Sequence, residues 1–319
     1  MVVVLRVFLE KSENLGGVVR NVIPDFRIKR EDIEKDVALC KAYGAEFVTG
    51  KEVASIKALK EEGYTDVIVA IGAWKPGNAH LQYGGAFDAV EFLADAKNEK
   101  IEVVLGKNVV VLGGGNTAMD VARAAFRVKG VENVRLVYRR TKRYMPADEE
   151  ELREAIEDGV QFMELLAPIG VENGQLKCSV MELGEADESG RRAPVDTGKV
   201  EYVPADTVIA AVGENIDGTL YDRKGRPVVD ANMMTSVEGV YAAGDSRRGP
   251  ATVVEAIADA SKAAAAIAGI SYEKYAEANV AEDSAKYIAK KGYQSPDLTE
   301  MPDKRCLGCS TVCETCAEV

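Results

Sequence analysis

Apolar and polar positions change period along this chain, and the changes mark out its elements. Val2 to Glu10 is an apolar run broken by Arg6 and reads as a strand. Arg30 to Tyr43 carries Ile33, Val37 and Ala38 on one face at helical spacing. A glycine stop at Gly44 and a short strand through Val48 follow, then a short helix from Ser55 to Glu62. Thr65 to Ala70 is a buried strand ending in Ile71-Gly72-Ala73, and Ala89 to Lys97 is a helix. Val109 to Leu112 has no polar position, so it predicts a strand covered on both faces. Asp148 to Asp158 is an acidic amphipathic helix, with Asp148, Glu149, Glu150 and Glu151 as its favourable first turn. Short strands with turns at Glu172-Asn173-Gly174 and Ser189-Gly190-Arg191 predict a β-meander over 160–203. Asp206 to Val212 and Val240 to Ala243 are further strands, and a helix runs from about Thr252 to Ala268. Such strand–helix alternation, with glycines repeated at strand ends, predicts an α/β fold of parallel, doubly wound sheets.

The strand at 109–112 runs into Gly113-Gly114-Gly115-Asn116-Thr117-Ala118 and then a strong helix former, Met119 to Ala125. This order of strand, glycine turn and helix places a dinucleotide pyrophosphate on a helix N-terminus, where free N–H groups and the helix dipole hold the anion. Gly113 allows the tight turn, Gly115 lets the backbone approach the phosphates, and Ala118 is the third small position, where helix and strand pack closely. A second strand, Val134 to Tyr138, ends in Arg139-Arg140 where an acidic residue would bind a ribose 2′-hydroxyl. Guanidinium groups suit a 2′-phosphate instead, so the segment calls for NADPH. Exposed arginines at a strand end are the alternative.

Composition works mainly by exclusion. The 319 residues allow two domains, and 47% apolar with 29% charged is ordinary for a globular chain. A net charge of −12 argues against a nucleic-acid groove or an anionic membrane surface. No run reaches membrane-spanning length, and Met1 to Leu9 lacks the basic leader and small-residue cleavage site of a signal peptide. Four of the six cysteines, Cys306, Cys309, Cys313 and Cys316, fall in the last fourteen residues. Four soft ligands so spaced read as an iron–sulfur site in a reducing, cytoplasmic compartment, with zinc or free thiols as alternatives. Cys40 and Cys178 form no dithiol motif and are expected to be buried thiols. His80 is expected to be a solvated or locally satisfied residue, and Trp74 a packing residue. Gly244-Asp245 ends a strand before the helix that starts near Thr252; it suits a ribityl hydroxyl and a flavin edge, or else a plain turn.

The order of these motifs resembles a known family. The residues that carry the resemblance are Glu10 through Gly16-Gly17, Ile23-Pro24-Asp25-Phe26-Arg27, Val69-Ala70-Ile71-Gly72, and Gly113 through Asp120. Further along come Tyr138-Arg139-Arg140, Met145-Pro146-Ala147, Ala211-Val212-Gly213-Glu214 and Ala242-Ala243-Gly244-Asp245. Together they resemble the flavin/NADPH oxidoreductase module of the glutamate synthase small subunit and dihydropyrimidine dehydrogenase group, most of all proteins assigned as selenate reductase subunits. The resemblance implies two Rossmann-like dinucleotide-binding domains in a three-layer arrangement. An NADPH domain (93–235) is inserted in an FAD domain (1–92 and 236–275), and a C-terminal tail (276–319) carries the cysteine cluster. It implies that Glu10 binds the FAD adenosine ribose, that Gly17, Val18 and Arg27 lie along the flavin and its phosphates, and that Gly72 passes close to it. Gly213 and Glu214 then lie near the nicotinamide. Hydride would pass from NADPH to FAD, and electrons onward through iron–sulfur centres to a partner subunit or domain; no acid–base residue is implied.

The chain also departs from the family pattern. The family opens its FAD domain with a strand, a glycine fingerprint and a helix, whereas this chain starts in the second strand and stops three residues after Cys316. The expectation is a piece of a longer protein, or else a shortened one, that lacks the main FAD pyrophosphate site. A rival reading follows: a module that binds NADPH without turning it over.

Overall fold

The computed structural model describes residues 6–98, 101–186, 192–216, 220 and 226–273. The chain runs through β1 (Arg6–Leu9), α1 (Gly17–Asn21), α2 (Arg30–Ala42), β2 (Ala45–Val48), α3 (Ile56–Glu61) and β3 (Val67–Val69). The short β4 (Lys75–Pro76) and β5 (Phe87–Asp88) lead into α4 (Ala89–Lys97). Next come β6 (Asn108–Leu112), α5 (Asn116–Phe126), β7 (Asn133–Val137), α6 (Glu149–Glu157) and β8 (Gln161–Met163). Three longer strands follow, β9 (Leu166–Glu172), β10 (Gln175–Ala186) and β11 (Arg192–Pro204). The described part closes with β12 (Thr207–Ala210), β13 (Glu214–Asn215), β14 (Val240–Ala242), α7 (Asp245–Arg248) and α8 (Val253–Ile267).

The unbroken apolar run of β6 explains the central layer. The sheet order is β5-β12-β6-β7-β8, every neighbouring pair parallel. Alternate residues of a strand face opposite sides. Val109, Val111, Leu136 and Ile209 pack against Phe92, Leu93, Met119, Ala122 and Ala155 of α4, α5 and α6. Val110, Leu112 and Val137 pack on the other side against Leu166, Leu176, Cys178 and Val203 of the antiparallel sheet β11-β10-β9. Helices, parallel sheet and meander therefore form three layers, and β6, apolar from Val109 to Leu112, runs between two of them.

The remaining strands form two-stranded parallel sheets, β1 with β2 and β14 with β3, and the antiparallel ribbon of β4 with β13. The sequence pattern predicts no element over 16–22, but α1 forms there, and its Val18, with Val22 just after it, joins the core of α4 and α5. A second correction concerns Cys40. It is exposed on α2, whose one buried residue is Ile33, because the helix presents its other residues to solvent.

Leu136 is completely buried in the middle layer. Leu136→Ala is expected to lower stability by about 2–5 kcal/mol. Urea unfolding followed by circular dichroism should show the midpoint falling; an unchanged midpoint would mean the layer collapses around the gap.

Candidate functional site

In the five-stranded sheet the chain leaves β6 toward β7 on one side and meets β12 on the other. That reversal opens a crevice at the carboxyl ends of β6 and β12, the position at which open α/β sheets bind ligands. The glycine turn sits there, and its three glycines have different tasks. Gly113 has φ 147°, and a Cβ on it would strike the Ala211 carbonyl oxygen at the end of β12. Gly114 lies on the Tyr138 ring; a Cβ would come within 2.5 Å of it. Gly115 has an ordinary φ of −97°, and a Cβ there would meet nothing within 4 Å. Protein packing thus requires the first two glycines and not the third. The room above Gly115 suits a phosphate, and among the described residues no acceptor takes the N–H groups of Gly115, Asn116 or Thr117. Ala118 is fully buried beside Gly113.

The loop from Thr141 to Asp148 braces this turn. Ala147 N–H donates to the Gly114 carbonyl at 3.0 Å. Asn116 Nδ2 donates to Asp148 Oδ2 at 3.2 Å, and Asp148 N–H returns a bond to Asn116 Oδ1 at 3.0 Å. The Tyr138 hydroxyl donates to the Tyr144 carbonyl at 2.8 Å. Arg139 and Arg140 follow β7, one strand over. Arg139 is exposed, Arg140 Nε donates to the Arg192 carbonyl at 3.0 Å, and neither is ion-paired to a described residue.

Gly213 and Glu214 follow β12 into the same crevice. Gly77 N–H donates to the Gly213 carbonyl at 2.7 Å, which anchors the β4–β13 ribbon. The Glu214 carboxyl accepts a hydrogen bond from Thr117, the second residue of α5. Burial raises its pKa above the ordinary 4.5, and the negative charges of Asp88 and Asp245 add to the rise against that hydrogen bond.

Asp245 stands at the end of β14, beside β3. The Ser246 hydroxyl and Ala243 N–H both donate to the Val69 carbonyl, at 2.8 and 3.1 Å, so Gly72 and Gly244-Asp245 leave neighbouring strands. Gly72 has φ 76° and Gly244 φ 64°, both left-handed. Asp245 Oδ1 accepts from Ala251 N–H at 3.2 Å, and burial raises its pKa. Thr252 caps α8 in a reciprocal box with Glu255, while Val253 and Val254, the first two residues of α8, are exposed. Glu10 accepts from Ser12 N–H through one carboxylate oxygen. Carboxylate acceptors at Glu10 and Asp245, close backbone at Gly72 and Gly244, and the exposed N-terminal turn of α8 are donor and acceptor types that fit a flavin nucleotide. Trp74 Nε1 donates to the Ile71 carbonyl at 2.9 Å and packs against Gly72.

Two of the expected residues are engaged by protein neighbours. The Val18 side chain packs into the core of α4 and α5. Arg27 is held by Asp120 of α5 and Glu151 of α6, at 3.0 and 2.5 Å, because its loop folds onto these helices. The sequence reading missed Asp259, almost fully buried on α8. It accepts from Gly244 N–H and pairs with Arg247 and Arg248. Burial opposes its charge, but these bonds hold its pKa below the ordinary value. A lone aspartate in an alanine-rich helix gives no sign of this in sequence. The described cysteines form no dithiol, and burial pushes Cys178 up to about 12. Cys306, Cys309, Cys313 and Cys316 lie outside the described residues.

The chain is similar to known proteins along most of its length. YgfK of Escherichia coli (strain K12), a protein named as an oxidoreductase, is 38% identical over 97% of this chain and 32% of its own. The glutamate synthase [NADPH] small chain of the same organism is 32% identical over 81% of this chain and 62% of its own, in keeping with the group read from the motifs. The chain thus spans from about 32% to 62% of the length of these relatives. The fold matches that of FprA from Mycobacterium tuberculosis in complex with NADPH, with a TM-score of 0.70 at 21% identity over 93% of this chain and 82% of that one. Residues 9–260, from the end of β1 into α8, match the family described as pyridine nucleotide-disulphide oxidoreductase. With the glycine turn, the Gly213 crevice and the Asp245 strand end all inside that match, the chain belongs to the pyridine nucleotide-disulphide oxidoreductase family.

Proposed function

We propose that this chain is an NADPH-dependent flavin oxidoreductase module, which passes electrons through iron–sulfur centres to a partner subunit or domain. The observation that carries the reading is the open volume over Gly115, bordered by unbonded N–H groups at the start of α5. Residues 93–235 form the NADPH domain, inserted in an FAD domain of 1–92 and 236–275. Support for the nucleotide comes from a glutamate synthase relative named for NADPH and from a structural neighbour in complex with it. Support for the partner comes from that relative being a small chain of a larger enzyme.

NADPH and FAD, when bound, supply the hydride donor and acceptor, so the chain needs no acid–base residue of its own. Gly113 to Ala118 seat the pyrophosphate, and Arg139 with Arg140 take the 2′-phosphate as paired donors. Glu214 and Gly213 border the nicotinamide and exclude water from it. Gly72, Gly244, Asp245 and the α8 N-terminus at Thr252 receive the flavin ring and ribityl chain; Gly17 lies along the flavin and its phosphates, and Glu10 toward its adenosine end. Cys306, Cys309, Cys313 and Cys316 are the cluster ligands, since four thiolates suit iron and sulfide.

The decisive experiment joins NADPH calorimetry to the absorption spectrum of the purified protein. Flavin bands that bleach on adding NADPH support the reading. A colourless protein that binds NADPH favours a nucleotide-binding module without turnover, and no NADPH binding overturns both.

Three outcomes follow for the site itself. Gly115→Ala should keep the parent melting temperature and lose NADPH affinity, whereas Gly114→Ala should destabilise the fold by about 1–3 kcal/mol against the Tyr138 ring; thermal melts paired with calorimetry separate them. The Arg139→Ala/Arg140→Ala variant should lose about ten- to hundredfold in NADPH affinity and its preference over NADH, given about 1.5–3 kcal/mol for charged hydrogen bonds. An unchanged preference would refute the 2′-phosphate assignment. Glu214 keeps its proton above the ordinary carboxylate range, and losing it places a negative charge beside the phosphate turn. NADPH affinity should therefore fall as pH rises through the Glu214 titration, and Glu214→Gln should flatten that fall, as a binding series across pH would show.

A further inference from the structure

The segment that leaves α1 is fastened to all three helices of the parallel sheet's outer layer. Lys97 of α4, its side chain 5% exposed, donates to the Ile23 carbonyl at 2.5 Å and pairs with Asp25 at 3.1 Å. The Phe26 ring lies under the guanidinium groups of Arg123 and Arg127 of α5, at 4.5 and 4.6 Å. Those arginines are themselves tied to α6, Arg123 to Glu154 and both to Asp158. Arg27 completes the attachment with one nitrogen on Asp120 and the other on Glu151.

This arrangement is costly as a means of stability alone. Burial works against the charge on both Asp120 and Glu151, with Arg27 opposing that effect. Glu151 Oε2 is buried with no hydrogen-bond partner among the described residues. Apolar side chains of similar volume would hold a helix interface as well or better. A planar fork reaching carboxylates on two helices specifies geometry, and a lysine has no such fork.

What the geometry constrains is the approach of two segments. Ile23 N–H and Val22 N–H both donate to the Val18 carbonyl, so residues 17–27 move as one piece, with Val18 and Val22 in the core. That piece carries Gly17, on the flavin side of the proposed function. Asp120 stands just over one turn into α5, whose first residues form the phosphate turn. The β4–β13 ribbon, a further link between these regions, is two residue pairs long and a weak brace against rotation.

We propose that Arg27 is a positioning residue, latching the 17–27 segment to Asp120 and Glu151 so that flavin and nicotinamide are held at hydride-transfer distance. The inference rests on the proposed flavin and NADPH sites. It assigns Arg27 to the relation between them rather than to either cofactor. Misplacement by about 1 Å at a reacting pair costs about a hundredfold in rate, whereas the phosphate turn at the start of α5 is not part of the latch, so NADPH affinity is kept.

The test uses the full-length protein with its flavin, as wild type, Arg27→Ala and Arg27→Lys. Rapid-mixing absorbance should show flavin reduction at saturating NADPH slowed about ten- to hundredfold in Arg27→Ala, with Kd for NADPH unchanged. Arg27→Lys, which can satisfy one carboxylate at a time, should recover part of the rate and serves alone if the alanine variant fails to fold. Amide exchange should rise in α1 and at Ile23 in either variant while β6 and β7 stay protected. This second readout does not need the flavin. Wild-type exchange and wild-type reduction in the variants would overturn the latch, as would lost NADPH affinity with an unchanged reduction rate. Failure of the wild type to bind NADPH or reduce flavin would instead overturn the functional reading, and the exchange comparison would still decide whether the latch exists.

Discussion

The close approach of β6 and β12 at Gly113 is the constraint on which the rest of the structure depends. A side chain at that position would strike the Ala211 carbonyl, so the two strand ends can lie side by side only with hydrogen there. Their closeness sets where the sheet's strand order reverses and where the crevice opens. It aims the first turn of α5 at the crevice and brings Gly213 and Glu214 in from β12. The three-layer packing follows from the same pair of strands, since β6 and β12 have apolar residues toward both the helices and the meander.

Two buried aspartates solve a related problem at the edges of this arrangement. Asp259 reaches from α8 to the Gly244 N–H and is neutralised by Arg247 and Arg248. Asp120 reaches from α5 to Arg27. Each fixes a glycine-bearing segment relative to a helix through directional bonds, which non-directional apolar packing does not supply. Charge is stranded if either partner moves, so these contacts favour one geometry more sharply than hydrophobic contact does.

The periodicity of the sequence was a good guide wherever a single face decides the element. The helix read at Ala89 to Lys97 has those bounds in α4, and the one read from Thr252 to Ala268 is α8 within one residue at each end. The strands on either side of the glycine turn were equally legible, and so was the meander from Leu166 on, although residues 161–163 of the segment read as meander join the parallel sheet as β8, beside β7. The short α1 was not, because two glycines and a proline surround it and five residues set up no period. The resemblance placed Arg27 along the flavin and its phosphates, and Asp120 closed the motif of the glycine turn; nothing in either neighbourhood announces a pairing ninety-three residues apart.

Local order in the chain determined the α/β class, the nucleotide turn, the arginine pair after it and the strand-end glycines, because each depends on backbone geometry and on neighbours a few residues away. The folded structure decided which glycine is needed for packing and which leaves room for a ligand, since that depends on Ala211 and Tyr138, brought in by other strands. It also decided the electrostatics: Glu214 is perturbed by Asp88 and Asp245, and Arg27 is spent on α5 and α6. Charges act through space, and only the packing of the layers sets which of them are near.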